Sequence, residues 1–183
     1  MLIYTEITPN PHSLKFIVPP EYPLIERGTR EVISIEEMKK AEEPLLRALG
    51  SVPGIKSLFF TRAFLTVTKE ETESWHTLIP QVKEVLKLYL PQGPLSSTQE
   101  DLPSDPGEIE RRIREVLDEY IRPGVAMDGG DVEFLSYADG VVRLRLRGSC
   151  SGCPSSIYTL KAGIETLLSR LIPEVQLVEA EAS

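Results

Sequence analysis

The chain holds little of what most often betrays a function. Its 183 residues include two cysteines, two histidines and one tryptophan. Two cysteines cannot build the disulfide framework of a small secreted domain. His12 and His76 lie far in sequence from both cysteines, so they offer no evident metal ligands beside them. No apolar run approaches the length of a membrane span, and the opening Met1 to Glu6 lacks the basic start and apolar core of a signal peptide. Nor is there a basic excess. Twenty Lys and Arg against 28 Asp and Glu give a net charge of -8, which argues against a general nucleic-acid binder. A hydrophobic content of 41% is ordinary and suits a packed core. The expectation is a soluble cytoplasmic protein, with no nucleic acid or membrane among its partners.

What is present is concentrated in one place. Cys150 and Cys153 stand in the run Gly148-Ser-Cys-Ser-Gly-Cys-Pro-Ser-Ser156, between a strand-like and a helix-like segment. A Cys-x-x-Cys pair either ligates a soft metal through two thiolates or cycles between dithiol and disulfide. Structural zinc and cubane iron-sulfur clusters both want four protein ligands. A second copy of the chain supplies the missing two if the pairs face each other across a two-fold axis. With Pro154 at the first helical position, Cys153 falls at or near the N-cap, where free N–H groups and the helix dipole favour a thiolate. The pair is expected on an exposed junction that contributes little to the core.

The fold class read from the sequence is α+β, in two small domains. Pro91 to Gly107 is rich in Pro, Ser and Gly and reads as a flexible linker, 91–107. It separates residues 1–90 from residues 108–183. The acidic excess belongs almost wholly to the second half: 9 Lys and Arg stand against 16 Asp and Glu in residues 95–183.

In the first domain, residues 2–8 and 14–18 read as strands around a turn containing two prolines. An irregular stretch follows, then a helix opened by Pro44 and ended by Gly50. Residues 55–61 and 64–68 read as a second strand pair, and residues 74–90 as a helix that Pro80 starts or kinks. In the second domain, Asp105-Pro106-Gly107-Glu108 reads as a helix start. Ile109, Ile113, Val116, Leu117 and Tyr120 then recur at helical spacing, and Gly124 follows the helix end. Residues 132–136 and 141–147 read as a hairpin across Asp139-Gly140. Residues from Pro154 onward read as a long amphipathic helix, and residues 174–178 as a last strand. The predicted order is helix, strand, strand, helix, strand around a small mixed sheet.

Residues 122–164 resemble a known family. Arg122-Pro123, Asp128-Gly-Gly-Asp131-Val132-Glu133, the strand 141–146, the cysteine run and Thr159-Leu-Lys-x-Gly-Ile164 are similar to the NifU C-terminal domain of Nfu-type iron-sulfur carriers. The first half resembles the Nfu N-terminal domain through Thr8-Pro-Asn-Pro-x-Ser-Leu-Lys-Phe16, Pro53-Gly-Ile-Lys-Ser57 and Phe64-x-Thr-Val-Thr68. The resemblance implies that Cys150 and Cys153 of two subunits hold one [4Fe-4S] cluster, as cofactor-binding and metal-ligating residues of a homodimer. It further implies a non-enzymatic scaffold or carrier that either assembles the cluster or receives it from upstream assembly machinery, and passes it to apo acceptor proteins. Two rivals remain on the residues alone: a dimeric module pinned by a four-cysteine zinc site, and a thiol-disulfide oxidoreductase.

Other features have plainer readings. Arg143, Arg145 and Arg147 alternate with apolar residues and read as a solvated sheet face. Asp128-Gly-Gly-Asp131 is too short for a calcium loop and reads as a turn entering a strand. Trp75 reads as seating its helix on the sheet.

Overall fold

The computed structural model describes residues 1–96, 107–152 and 154–182, without the side chains of residues 154–156. The chain forms two compact units, residues 1–100 and 101–183. Each is α+β with its own sheet and core.

The first unit is built on an antiparallel sheet of order β1-β2-β5-β4-β3, formed by β1 (Tyr4–Ile7), β2 (Ser13–Ile17), β3 (Arg30–Val32), β4 (Ile55–Phe60) and β5 (Phe64–Lys69). Leu14, Phe16, Leu58, Phe60, Leu65 and Val67 are buried from the sheet. They share a core with Leu45, Leu46 and Leu49 of α2 (Pro44–Gly50) and with Leu78, Val82 and Leu86 of α3 (Trp75–Tyr89). β3 and α1 (Ile35–Lys40) occupy part of the stretch expected to be irregular. A three-residue strand and a six-residue helix are too short to show a period. α3 does not begin at Pro80. It begins after Ser74, whose hydroxyl accepts from the His76 N–H at 3.2 Å, and runs on through the proline. Trp75 seats it as expected, donating from Nε1 to the Pro11 carbonyl at 3.2 Å.

The first unit also keeps residues that were expected to open the linker at Pro91. After a 3-10 turn over Leu90–Gln92, Leu95 is buried in the same core. Its N–H donates to the Leu24 carbonyl at 2.7 Å, and it forms a parallel bridge with Ile25. One apolar residue among Pro, Gln and Gly carries no periodic signal, so composition alone assigned it to the linker. Linker positions 97–106, with the predicted helix start at Asp105-Pro106, lie outside the described residues.

The second unit opens with one helical run in three pieces: α4 (Glu108–Val116), a π-helical turn (Leu117–Ile121) and α5 (Arg122–Met127). The run therefore passes Gly124 instead of ending before it. Pro123 explains the break in register. It has no N–H to bond back along the helix, and its ring crowds the carbonyl four residues earlier, which a wider turn relieves. Pro123 then sits in the first turn of α5, where the missing donor does no harm.

β6 (Gly130–Ala138) and β7 (Val141–Gly148) form the predicted hairpin. Its two-residue turn, Asp139-Gly140, has positive φ at both positions, the type I′ pattern that matches strand twist. A 3-10 turn (Ser149–Gly152) leads to α6 (Pro154–Leu171), and β8 (Leu177–Ala182) returns parallel to β7. The sheet order is β6-β7-β8, a mixed sheet as expected.

The last strand lies three residues later than its predicted start, because Val175 is spent in a turn, its N–H donating to the Ile172 carbonyl at 2.9 Å. Val132, Phe134, Val142, Leu144, Leu146 and Val178 line the buried sheet face and meet Ile113, Leu117, Ile164 and Leu168 from the helices. That layer fixes the end of β7, and with it the cysteine turn.

Candidate functional site

The site is assembled where three pieces of the second unit converge: the end of β7, the start of β6 and the end of α5. β7 delivers Cys150 into the 3-10 turn Ser149–Gly152, directly ahead of α6. Cys150 is 7% exposed and belongs to the unit's core. The expectation of an exposed cysteine is thus corrected for this residue: the 3-10 turn after β7 holds the side chain in the core, against Gly130. Cys153, the other expected ligand, lies outside the described residues, as the residue preceding α6.

The Asp128-Gly-Gly-Asp131 segment is more than an entry into a strand. Ser149 Oγ donates to the Asp128 carbonyl, and the Ser149 N–H donates to the Gly129 carbonyl at 3.3 Å. Ser151 Oγ donates to the Gly148 carbonyl at 2.8 Å and tightens the turn from the other side. At Gly130 the approach is closest. A Cβ there would lie 2.6 Å from the Arg147 carbonyl oxygen and 2.8 Å from Cys150 Sγ, distances no side chain tolerates. Glycine is therefore what lets strand and thiol meet.

Asp131, the next residue, is buried. Its Oδ1 accepts from the Val132 N–H at 2.8 Å and faces Arg122 Nε at 3.5 Å. Arg122 also donates to the Val132 carbonyl at 3.3 Å and pairs with Asp118 at 2.9 Å.

These surroundings set the chemistry of Cys150. Burial pushes its thiol up to about 11; the hydrogen bond with Ser149 works against that, and the Asp128 and Asp131 carboxylates add to it. At neutral pH Cys150 therefore rests as the protonated thiol. Such a thiol is a poor resting nucleophile. As a metal ligand it must release its proton on loading, and the bond to the metal offsets that cost. Among the described residues no group of three or more His, Cys, Asp and Glu is arranged to hold a metal ion.

The arginine ladder has the plain role read for it. Arg143 pairs with Glu179 at 3.0 Å, Arg145 with Glu181 at 2.7 Å, and Arg147 with Glu133 at 2.7 Å, all on the sheet face opposite the core. The bond to Glu181 is the main cause of a raised Arg145 pKa. His12 and His76 belong to the first unit, and the sequence reading gave them no ligand role. Sequence reasoning named the cysteines but passed over Gly130 and Asp131 as turn residues. The close spacing of two glycines between two aspartates was the available signal.

Two family descriptions match the chain: "Scaffold protein Nfu/NifU N terminal" over residues 3–93, and "NifU-like domain" over residues 113–179. A protein of Homo sapiens named "NFU1 iron-sulfur cluster scaffold homolog, mitochondrial" is 43% identical over 98% of this chain and 71% of its own length. The protein of that name from Drosophila willistoni is 40% identical over 98% of this chain and 63% of its own length. The chain thus spans less than two thirds of that relative. Among solved structures, a "NifU-like protein" of Saccharomyces cerevisiae is 25% identical, with a TM-score of 0.47 over 55% of this chain and 87% of that one. Among the described residues no helix is long and apolar enough to cross a membrane.

Proposed function

The chain belongs to the Nfu family of iron-sulfur cluster scaffold proteins, and from that membership we propose that it carries a [4Fe-4S] cluster as cargo between two copies of itself. Cys150 and Cys153 of each copy supply the four thiolates. The loaded dimer receives its cluster from upstream assembly machinery and gives it to apo acceptor proteins, without acting as an enzyme. In this reading residues 91–107 are a flexible linker between a first domain, 1–90, with no ligand set of its own, and a cluster-binding second domain, 108–183. The proposed compartment is the cytoplasm, although the relatives' names say mitochondrial, and localising a tagged chain decides between them.

The observation that carries this reading is the packing at Cys150. The Cys150 thiol packs against Gly130, and the turn that carries it is fastened by Ser149, whose hydroxyl and N–H donate to the Asp128 and Gly129 carbonyls; burial raises the thiol's pKa, which makes it a poor resting redox nucleophile. Two cysteines per chain leave any four-thiolate site half made, which supports a shared cluster. The cluster supplies no chemistry here beyond being held and released. The chain's part is to offer the ligands and to hold the turn that carries Cys150 in place.

The test is anaerobic reconstitution with iron and sulfide, followed by visible absorption, iron and sulfide content and molar mass on one sample. A coloured dimer with one four-iron cluster per two chains supports the proposal. A colourless dimer holding zinc, or a monomer that reduces disulfides, sinks it in favour of the corresponding rival.

A further inference from the structure

Asp131 is the charged side chain buried in the second unit among the described residues, and metal binding by the cysteines makes no use of it. It lies one residue from Gly130, whose backbone touches Cys150 Sγ. Arg122 reaches this spot from the start of α5 and holds it at two points, facing the Asp131 carboxylate and donating to the Val132 carbonyl. A second arm of the same guanidinium pairs with Asp118 on the π-helical turn. One side chain therefore ties the helical run to the first residues of β6, and those residues seat the thiol.

We propose that Arg122 is a positioning residue for Cys150, acting through Asp131: it compensates the buried carboxylate and keeps the start of β6 packed beneath the thiol. This rests on the reading of Cys150 as a cluster ligand. A carboxylate of low exposure that loses its guanidinium is drawn toward water, and Gly130 moves with it. Without Arg122 the Asp131 carboxylate would also stand, less compensated, close to an anionic four-thiolate cluster. Charge compensation is therefore the quantity to test, since a purely steric role for Arg122 is indifferent to the charge at 131.

The test uses the full chain with Arg122→Gln, Arg122→Lys, Asp131→Asn and the Arg122→Gln/Asp131→Asn pair. Two readouts are taken. One is the decay of cluster absorbance after reconstitution. The other is the rate at which iodoacetamide modifies Cys150 in cluster-free protein at fixed pH, with the adduct located by tandem mass spectrometry.

Arg122→Gln is expected to shorten cluster lifetime about tenfold, in the range usual for residues that support metal ligands, and to speed Cys150 modification by a similar factor. Arg122→Lys, which keeps the charge, and the double variant, which removes both charges, are expected within about threefold of Asp131→Asn in both readouts. An Arg122→Gln protein that matches the unsubstituted chain overturns the proposal, as does a double variant no better than Arg122→Gln. If Arg122→Gln does not fold, the comparison of the double variant with Asp131→Asn decides. If the unsubstituted chain takes up no cluster, the functional reading fails, and Cys150 modification still tests the positioning role on its own.

Discussion

Gly130 and Cys150 are in contact through the backbone of one and the sulfur of the other. A Cβ built on Gly130 falls 2.8 Å from Cys150 Sγ and 2.6 Å from the Arg147 carbonyl. Neither neighbour is the free end of a flexible side chain. Gly130→Ala is therefore expected to push β6 away from the cysteine turn and to cost about 1–3 kcal/mol, as overpacking does. Denaturant unfolding of the second unit measures this, and cluster retention should fall with it.

Gly163 supplies the control. Its site in α6 leaves nothing within 4 Å of an added Cβ. Gly163→Ala should stabilise the unit by about 0.5–1 kcal/mol through helix propensity alone, read in the same unfolding experiment. An equal loss at both glycines would refute the contact at Gly130.

Replacing either proposed ligand separates the two cysteines. Cys150→Ser and Cys153→Ser are each expected to abolish cluster retention after reconstitution. Cys150→Ser should in addition lower stability by about 1–3 kcal/mol, because it puts a hydroxyl where a buried thiol packs in the core. Unfolding of the cluster-free variants against the unsubstituted chain measures that loss, and no loss would mean that the thiol is less enclosed than the structure has it.

The raised Cys150 pKa predicts an alkaline loss of stability. Burial pushes the thiol up to about 11 in the folded chain, against an ordinary 9.0 once unfolding exposes it. Below pH 9 both states keep the proton and the contribution is whole. Between pH 9 and 11 only the unfolded state gives it up, so stability falls, by about 2–3 kcal/mol in all. The measurement is the difference between the unsubstituted chain and Cys150→Ser, followed by denaturant unfolding from pH 8 to 11.5. A difference that stays flat over that range would contradict the burial of the thiol.

Autonomy of the second unit is also testable. Its core residues, from Ile113 to Val178, form a cluster of their own. Residues 95–183 alone should give a cooperative unfolding transition and, on the functional reading, take up one cluster per two fragments. A folded fragment that takes up no cluster would assign part of the binding to the first unit.

The sequence by itself determined much of this protein. Strand and helix periods, the Asp139-Gly140 turn, Pro44, and the alternation of Val142, Leu144 and Leu146 with three arginines are local signals, and local signals are written in the order of residues. The Cys-x-x-Cys run and its flanking residues likewise marked the candidate site. Tertiary structure decided what depends on residues far apart in the chain. Leu95 looked like linker until Leu24 and Ile25 came to meet it, and the strand at Leu177–Ala182 is placed by pairing with β7 rather than by its own alternating Glu and Ala. The burial of Cys150 arises only when β6 brings Gly130 against the end of β7, and the tie from Arg122 to Asp131 only when α5 closes over both. A residue's type fixes what chemistry it offers; the desolvation and neighbouring charge that tune that chemistry come from whatever the fold packs around it.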